Sequence, residues 1–407
     1  MKCRFCAAED LRTFVDLGAQ PLANSYVDPA KADKAEPHFS LHVRVCEKCL
    51  LVQLPELASA EEIFSDYAYL SSASTSWLEH CRRFVAEISE RFPLTREDLV
   101  VELASNDGYL LKYFVERGQK VLGIEPAANV AAIAERAGVP TLARFFGLAL
   151  AEDLRRQGKQ AKLVIGNNVL AHVPDINDFV KGIRHLLAPG GVVSLEFPHL
   201  LQLINLNQFD TIYHEHFSYL SLTAVTRIFK AHQLRVFDVE QLPTHGGSLR
   251  VLACRDDDDR TIGERVTAVL QAEAAAELTS LKGYASYTEK VQRTKWALLE
   301  LLIGLRRQGK RIVGYGAPAK GNTLLNYCGA RTDLIEYTVD RNELKQGKLL
   351  PGTRIPVRTP DAIMADKPDF VLILPWNLER EIVGQMAAIK SWGGRFIVPI
   401  PEPRILG

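Results

Sequence analysis

Apolar residues recur at three- and four-residue spacing through Trp77, Cys81, Phe84, Val85 and Ile88, which predicts an amphipathic helix beginning near residue 77. Beyond it the pattern shifts to short apolar runs at residues 99–103, 121–124, 163–165 and 192–197, with helical stretches between them. That alternation is the signature of a parallel α/β sheet. The charged run RDDDDR at 255–260 interrupts it and reads as a solvated connector at a domain edge. Two long helical patterns follow, near 261–280 and 283–308. A second α/β series then has its strands near 312–315, 334–339, 370–374 and 396–400.

The chain of 407 residues is too long for one ordinary core, and two or three domains are expected. Formal net charge is zero, with 49 basic and 49 acidic residues, so a nucleic-acid partner has no electrostatic support. The opening MKCRFCAAED lacks the apolar run of a signal peptide, and no segment is apolar for long enough to span a bilayer. The expected compartment is the cytoplasm. There the seven cysteines stay reduced, as ligands or buried apolar residues.

Four of those cysteines form two C-x-x-C pairs, Cys3 with Cys6 and Cys46 with Cys49. Each pair suits a tight knuckle that aims two thiolates at one point. Two knuckles complete the tetrahedral sulfur shell of a closed, structural zinc site. The long spacer between the pairs implies a small lobe folded around them.

The stretch VVELASNDGYLLKYF reads as strand, polar turn and helix. Its strand carries Glu102, and the turn brings Ser105, Asn106 and Gly108 to a helix start, where free backbone N–H groups bind polar or anionic ligands. The next strand ends at Glu125, placed to accept both hydroxyls of a ribose. The turn has one glycine and not the G-x-G-x-x-G triple that a pyrophosphate requires. S-adenosylmethionine is therefore favoured over a nicotinamide dinucleotide in this domain. A third strand end supplies Asn167, Asn168 and His172 at the edge where open α/β sheets bind ligands.

Read together and in order, CRFC…VCEKC, DLGAQPLANSY, YAYLSSAS, ELASNDGYLL, GNNVLAHV, YHEHFSY, HGGSLR and GYGAPAKGNTLLNY resemble the sugar C-methyltransferases of deoxysugar biosynthesis over essentially the whole chain. The resemblance implies an α/β fold in three parts. These are a zinc-binding lobe (1–75), a central Rossmann-like class I methyltransferase domain (76–255) and a C-terminal Rossmann-like domain (256–407). The sugar nucleotide is expected between the last two, and the protein is expected to be a monomer with no membrane or nucleic-acid partner.

The implied activity is S-adenosylmethionine-dependent methylation of a carbon beside the ketone of a nucleotide-diphospho 4-keto-6-deoxyhexose, C3 first and C5 second. The product would be a branched-chain sugar. A base with a pKa near neutrality must remove a proton from that carbon, and a donor must stabilise the enolate oxygen. The segment YHEHFSY carries such groups. The resemblance implies His216 as the base, Tyr213 as its helper or rival, Glu215 as an orienting or sugar-binding group, and His172 as a second donor. Tyr67 is implied to close the pocket, with Tyr69 as the competing choice. His245 and Ser248, beside paired glycines, are expected to line the sugar pocket, while Lys320 and Asn322 are expected to meet the diphosphate. Two other readings stay open. One is a nicotinamide-dependent oxidoreductase that uses the C-terminal glycine turn and Asp340. The other is a non-catalytic sugar-nucleotide binding protein.

Overall fold

The computed structural model describes residues 1–57, 59 and 70–406. Two compact units emerge, and neither is one run of chain. The first comprises Met1–Leu11, Cys46–His199 and Phe217–Leu281; the second comprises Arg12–Val45, Leu200–His216 and Lys282–Gly407.

The first unit is built on a seven-stranded sheet. Its order is Leu234–Leu242, Ser248–Arg255, Leu187–Pro198, Ala161–Asn167, Leu99–Leu103, Lys120–Ile124 and Thr141–Leu142. The last five are parallel, and Ser248–Arg255 runs antiparallel between its two neighbours. Strand order therefore reverses between Leu99–Leu103 and Ala161–Asn167, and such a switch point opens a crevice at the carboxyl ends of the strands. The apolar runs are continuous because both sheet faces are covered: Val100, Val101 and Leu103 are buried, as are Leu163, Val164 and Ile165. The helix Thr75–Arg91 buries Cys81, Phe84, Val85 and Ile88, as its spacing predicts. Ser74 caps it, the hydroxyl accepting from Trp77 N–H at 3.3 Å, an interaction worth about 1 kcal/mol.

The second unit contains a six-stranded sheet in the order Val357–Arg358, Thr338–Val339, Ile312–Tyr315, Phe370–Ile373, Arg395–Val398 and Arg404–Leu406. Only the last strand is antiparallel. The expected strands near 312, 338, 370 and 396 are all present. The two long helical patterns before them appear as Glu264–Ala275 and Tyr287–Arg307, with the short Lys282–Ala285 between them. Gly316 (φ +87°) turns the chain after Ile312–Tyr315, where an added Cβ would lie 2.5 Å from Pro375. No helix among the described residues is long and apolar enough to cross a membrane.

Candidate functional site

The four front cysteines converge: the Sγ atoms of Cys3, Cys6, Cys46 and Cys49 all lie within 4.8 Å of one another. Cys3–Cys49 and Cys6–Cys46 are each 3.5 Å apart. Four sulfurs around zinc stand about 3.8 Å from one another, so the cluster fits that ion. Each knuckle is a backbone device. Ala7 N–H reaches the Cys3 carbonyl at 3.0 Å, and Leu50 N–H reaches the Cys46 carbonyl at 2.9 Å. Ala7 (φ 57°) and Leu50 (φ 63°) make the left-handed turns that close them. Gln53 donates to Cys3 Sγ at 3.2 Å and accepts from Arg4 N–H at 2.9 Å, a supporting contact that the spacing did not reveal. Residues 12–45, between the pairs, group with the second unit.

At the switch point of the first sheet, Glu102 is fully buried, and apart from the Tyr109 hydroxyl its carboxylate oxygens have no hydrogen-bond partner among the described residues. Burial pushes its carboxyl well above the ordinary range, with the Tyr109 hydroxyl opposing the shift. Ser105 Oγ, Asp107 Oδ1, Asn167 Oδ1 and Asn168 Oδ1 are also buried without a partner among the described residues. Such atoms are costly to leave unmatched, and a ligand that carries ribose hydroxyls and an amino-acid ammonium supplies the donors they lack. The residues present therefore fit S-adenosylmethionine.

The turn that gathers them is strained. Ala104 (φ 54°) and Asn106 (φ 48°) in it, and Asn168 (φ 55°) at the end of the neighbouring strand Ala161–Asn167, are left-handed, each at a cost of roughly 1–3 kcal/mol. Gly108 (φ +77°) belongs to the same turn, and a Cβ there would meet Val139 at 2.9 Å. Glu125 braces the loop: its oxygens accept from Asn106 N–H and Ala127 N–H, both at 2.9 Å. Burial raises its carboxyl, and those two amides oppose the rise.

His172 ends the short helical turn Leu170–His172 on the same edge. His245 is exposed, left-handed (φ 54°), and 3.1 Å by Nε2 from Asn168 Nδ2. Ser248 is buried and donates to the Thr244 carbonyl at 3.0 Å. The unit also holds a polar network that the sequence reading passed over, made of His80, Glu196, Thr244 and Arg250. Its one sequence signal is a carboxylate inside the apolar run VVSLEFP.

The second unit holds Tyr213, His214, Glu215 and His216. His216 is 9 % exposed, and its Nδ1 lies 2.8 Å from the Thr211 carbonyl oxygen. A carbonyl only accepts, so Nδ1 carries the proton and the lone pair of the neutral ring is on Nε2. The Tyr213 ring lies 4.1 Å from the imidazole, centroid to centroid. His214 is buried, with Nε2 3.2 Å from the Phe39 carbonyl, and burial lowers its pKa. Glu215 accepts from Asn24 Nδ2 at 2.6 Å. Burial pushes its carboxyl up to about 7, against the opposing Asn24 hydrogen bond and Lys345 charge.

Asn322 is buried; it donates to the Ala23 carbonyl at 2.7 Å, and its Oδ1 has no partner among the described residues. Lys320 donates to Asn377 Oδ1 at 2.9 Å and lies over the Trp376 ring at 4.9 Å. Trp376 donates in turn to the buried Asp210 at 2.6 Å. Asp340 accepts from Ala317 N–H at 2.7 Å and from Asn342 N–H at 2.8 Å, so the glycine turn's own amide already engages it. Tyr67 and Tyr69 lie outside the described residues.

Comparison with known proteins agrees with this layout. Residues 3–64 match the family described as "Putative zinc binding domain", 76–239 the "Methyltransferase domain" and 243–401 the "C-methyltransferase C-terminal domain". The C-methyltransferase NovU of Streptomyces niveus is 38% identical over 405 residues, which cover 100% of this chain and 96% of that protein.

The chain belongs to the C-methyltransferase family.

The methyltransferase thus takes its methyl group from S-adenosylmethionine and carries a zinc-binding domain at its front. The family assignment sets aside the oxidoreductase and non-catalytic readings. Among solved structures, a magnesium protoporphyrin IX methyltransferase from Synechocystis with bound SAM is 15% identical, with 44% of this chain and 79% of that chain covered and a TM-score of 0.34. A SAM-dependent methyltransferase from Anabaena variabilis is 13% identical, with 50% and 99% covered and a TM-score of 0.35.

Proposed function

We propose that this methyltransferase acts on a nucleotide-diphospho 4-keto-6-deoxyhexose, at C3 in the first instance, with His216 as the base. The observation that carries the reading is the hydrogen bond from His216 Nδ1 to the Thr211 carbonyl, which leaves the basic lone pair on Nε2. Support also comes from the full-length likeness to a relative named as a C-methyltransferase.

Carbon is a poor nucleophile until a neighbouring ketone acidifies its C–H bond. His216 Nε2 takes that proton, and the electron pair moves through carbon to the ketone oxygen as an enolate. Tyr213, packed against the imidazole, donates its hydroxyl to the sugar or to the developing enolate. His172 is a second such donor. Glu215, whose carboxyl burial raises to about 7, donates to a sugar oxygen in its protonated form. Bound S-adenosylmethionine supplies an electrophilic methyl group. Glu102, Ser105, Asn106, Gly108, Glu125, Asn167 and Asn168 would hold it. His245 and Ser248 would contact the sugar, and Lys320 and Asn322 the diphosphate. The compartment that suits this chemistry and four reduced cysteine ligands is the cytoplasm.

Deuterium wash-in tests the reading. Purified enzyme in D2O with candidate 4-keto sugar nucleotides should place deuterium on the carbon that is later methylated. Absence of both exchange and methyl transfer across thymidine, guanosine and cytidine sugars would refute it.

A further inference from the structure

Asn168 and His245 are both left-handed non-glycine residues, and each is the other's side-chain neighbour at 3.1 Å. They belong to different loops of the first unit. One residue reaches both. The Glu196 carbonyl accepts Asn168 N–H at 2.7 Å, and Glu196 Oε1 accepts the Thr244 hydroxyl, one residue before His245, at 2.8 Å.

Glu196 lies in the sheet between Asn167 on one side and Arg250 on the other. It is fully buried. Its Oε2 accepts from Arg250 Nη2 at 2.9 Å and lies 2.9 Å from His80 Nε2. Arg250 is itself tied to Glu240 at 3.0 Å. These partners hold the Glu196 carboxyl below its ordinary value in spite of burial. The His80 ring stacks on Trp77 at 4.9 Å, and Trp77 lies 5.5 Å from the His245 ring. The carboxylate therefore braces His245 by two routes, through Thr244 and through His80 and Trp77.

A buried ion network is a poor source of net stability, because desolvation offsets most of its attraction. Here its geometry instead braces one strained backbone position at the ligand edge, His245, whose side chain meets the equally left-handed Asn168, and strain at such an edge accompanies function.

We propose that Glu196 is a positioning residue for methyl transfer: its carboxylate holds the left-handed His245 and, through the His245–Asn168 contact, steadies the Asn168 side chain, whose backbone the Glu196 carbonyl anchors separately, so that the cofactor-side and substrate-side groups of this unit stay aligned. The proposal rests on the reading of Asn168 as a cofactor contact and His245 as a sugar contact.

The test compares wild-type enzyme with Glu196→Gln and with Thr244→Val, which removes one hydrogen bond and leaves the Glu196–Arg250 pair in place. Three quantities are measured: S-adenosylmethionine affinity by calorimetry, methyl-transfer kcat, and deuterium exchange into saturating 4-keto sugar without cofactor. Glu196→Gln should lower kcat for methyl transfer roughly 10- to 100-fold and weaken cofactor affinity. Thr244→Val should shift both in the same direction by less. Exchange, which reports His216, should stay within about twofold of wild type, a separation that general structural damage does not give.

Wild-type methylation and cofactor affinity in Thr244→Val and in any folded Glu196→Gln would overturn the proposal. So would exchange falling in step with methyl transfer. If wild-type enzyme neither exchanges nor methylates a keto sugar, the substrate reading fails, and cofactor affinity in the two variants still decides the role of Glu196.

Discussion

Asn24 Nδ2 lies 2.6 Å from Glu215 Oε1, joining residues 191 positions apart in the chain. The contact is one hydrogen bond on a carboxyl whose burial has already raised it to about 7. A carboxyl with a raised native pKa contributes stability below its unfolded value and loses it as pH climbs through the native value. For Glu215 that window runs from about 4.5 to about 7, and ionisation costs at most about 3 kcal/mol. Thermal unfolding followed from pH 5 to 9 should show stability falling up to about pH 7 and levelling off above it. Glu215→Gln should flatten the fall, and kcat/KM should lose its alkaline limb.

His216→Asn keeps a hydrogen-bonding side chain but loses the basic nitrogen. Deuterium exchange and methyl transfer should each drop about 10²- to 10⁴-fold, the usual worth of a positioned base. Cofactor affinity, which the proposed function assigns to residues of the other unit, should be unchanged by calorimetry.

Glu102 is a test of cofactor binding. Burial raises its carboxyl well above the ordinary range, so Glu102→Gln exchanges one neutral polar group for another and should leave the melting temperature of ligand-free protein near wild type. The same variant should bind S-adenosylmethionine more weakly. Scanning calorimetry with and without cofactor would show the cofactor-induced rise in melting temperature shrinking while the ligand-free value holds.

The sulfur cluster should carry about one zinc per chain. Cys49→Ser should lower metal content by elemental analysis and lower the melting temperature. Strong chelation should do the same to wild-type protein, because the metal's binding energy is also folding energy.

The parts of this molecule legible in sequence are those with strong local signals. Buried parallel strands read as unbroken apolar runs, so those near 99, 121, 163 and 192 were all visible, as were the two cysteine knuckles. The outer strands Leu234–Leu242 and Ser248–Arg255 were less so, since polar residues such as Arg235, Glu240 and Arg250 break their runs. The short pairings Thr141–Leu142 and Val357–Arg358 offer too few residues to make a pattern. The site divides in the same way. His216, Tyr213 and Glu215 stand out because they crowd one segment. Asn24, Tyr26 and Lys345 gather near Glu215 and Ala317 only through tertiary folding: Lys345 Nζ reaches the Ala317 carbonyl at 2.8 Å, and the Tyr26 hydroxyl reaches the same atom. No spacing rule encodes such a meeting.

The segment that carries His216 belongs by its support to distant stretches of chain. Thr323 Oγ1 holds the Ile212 carbonyl at 3.0 Å, and Trp376 holds Asp210. The enzyme is therefore not a string of exchangeable modules. A fragment cut near residue 255, or a chimera that joins this N-terminal part to another relative's C-terminal part, would keep the proposed base in its sequence and lose the contacts that hold its segment. Recombination between relatives has to carry residues 12–45, 200–216 and 282–407 as one inheritance.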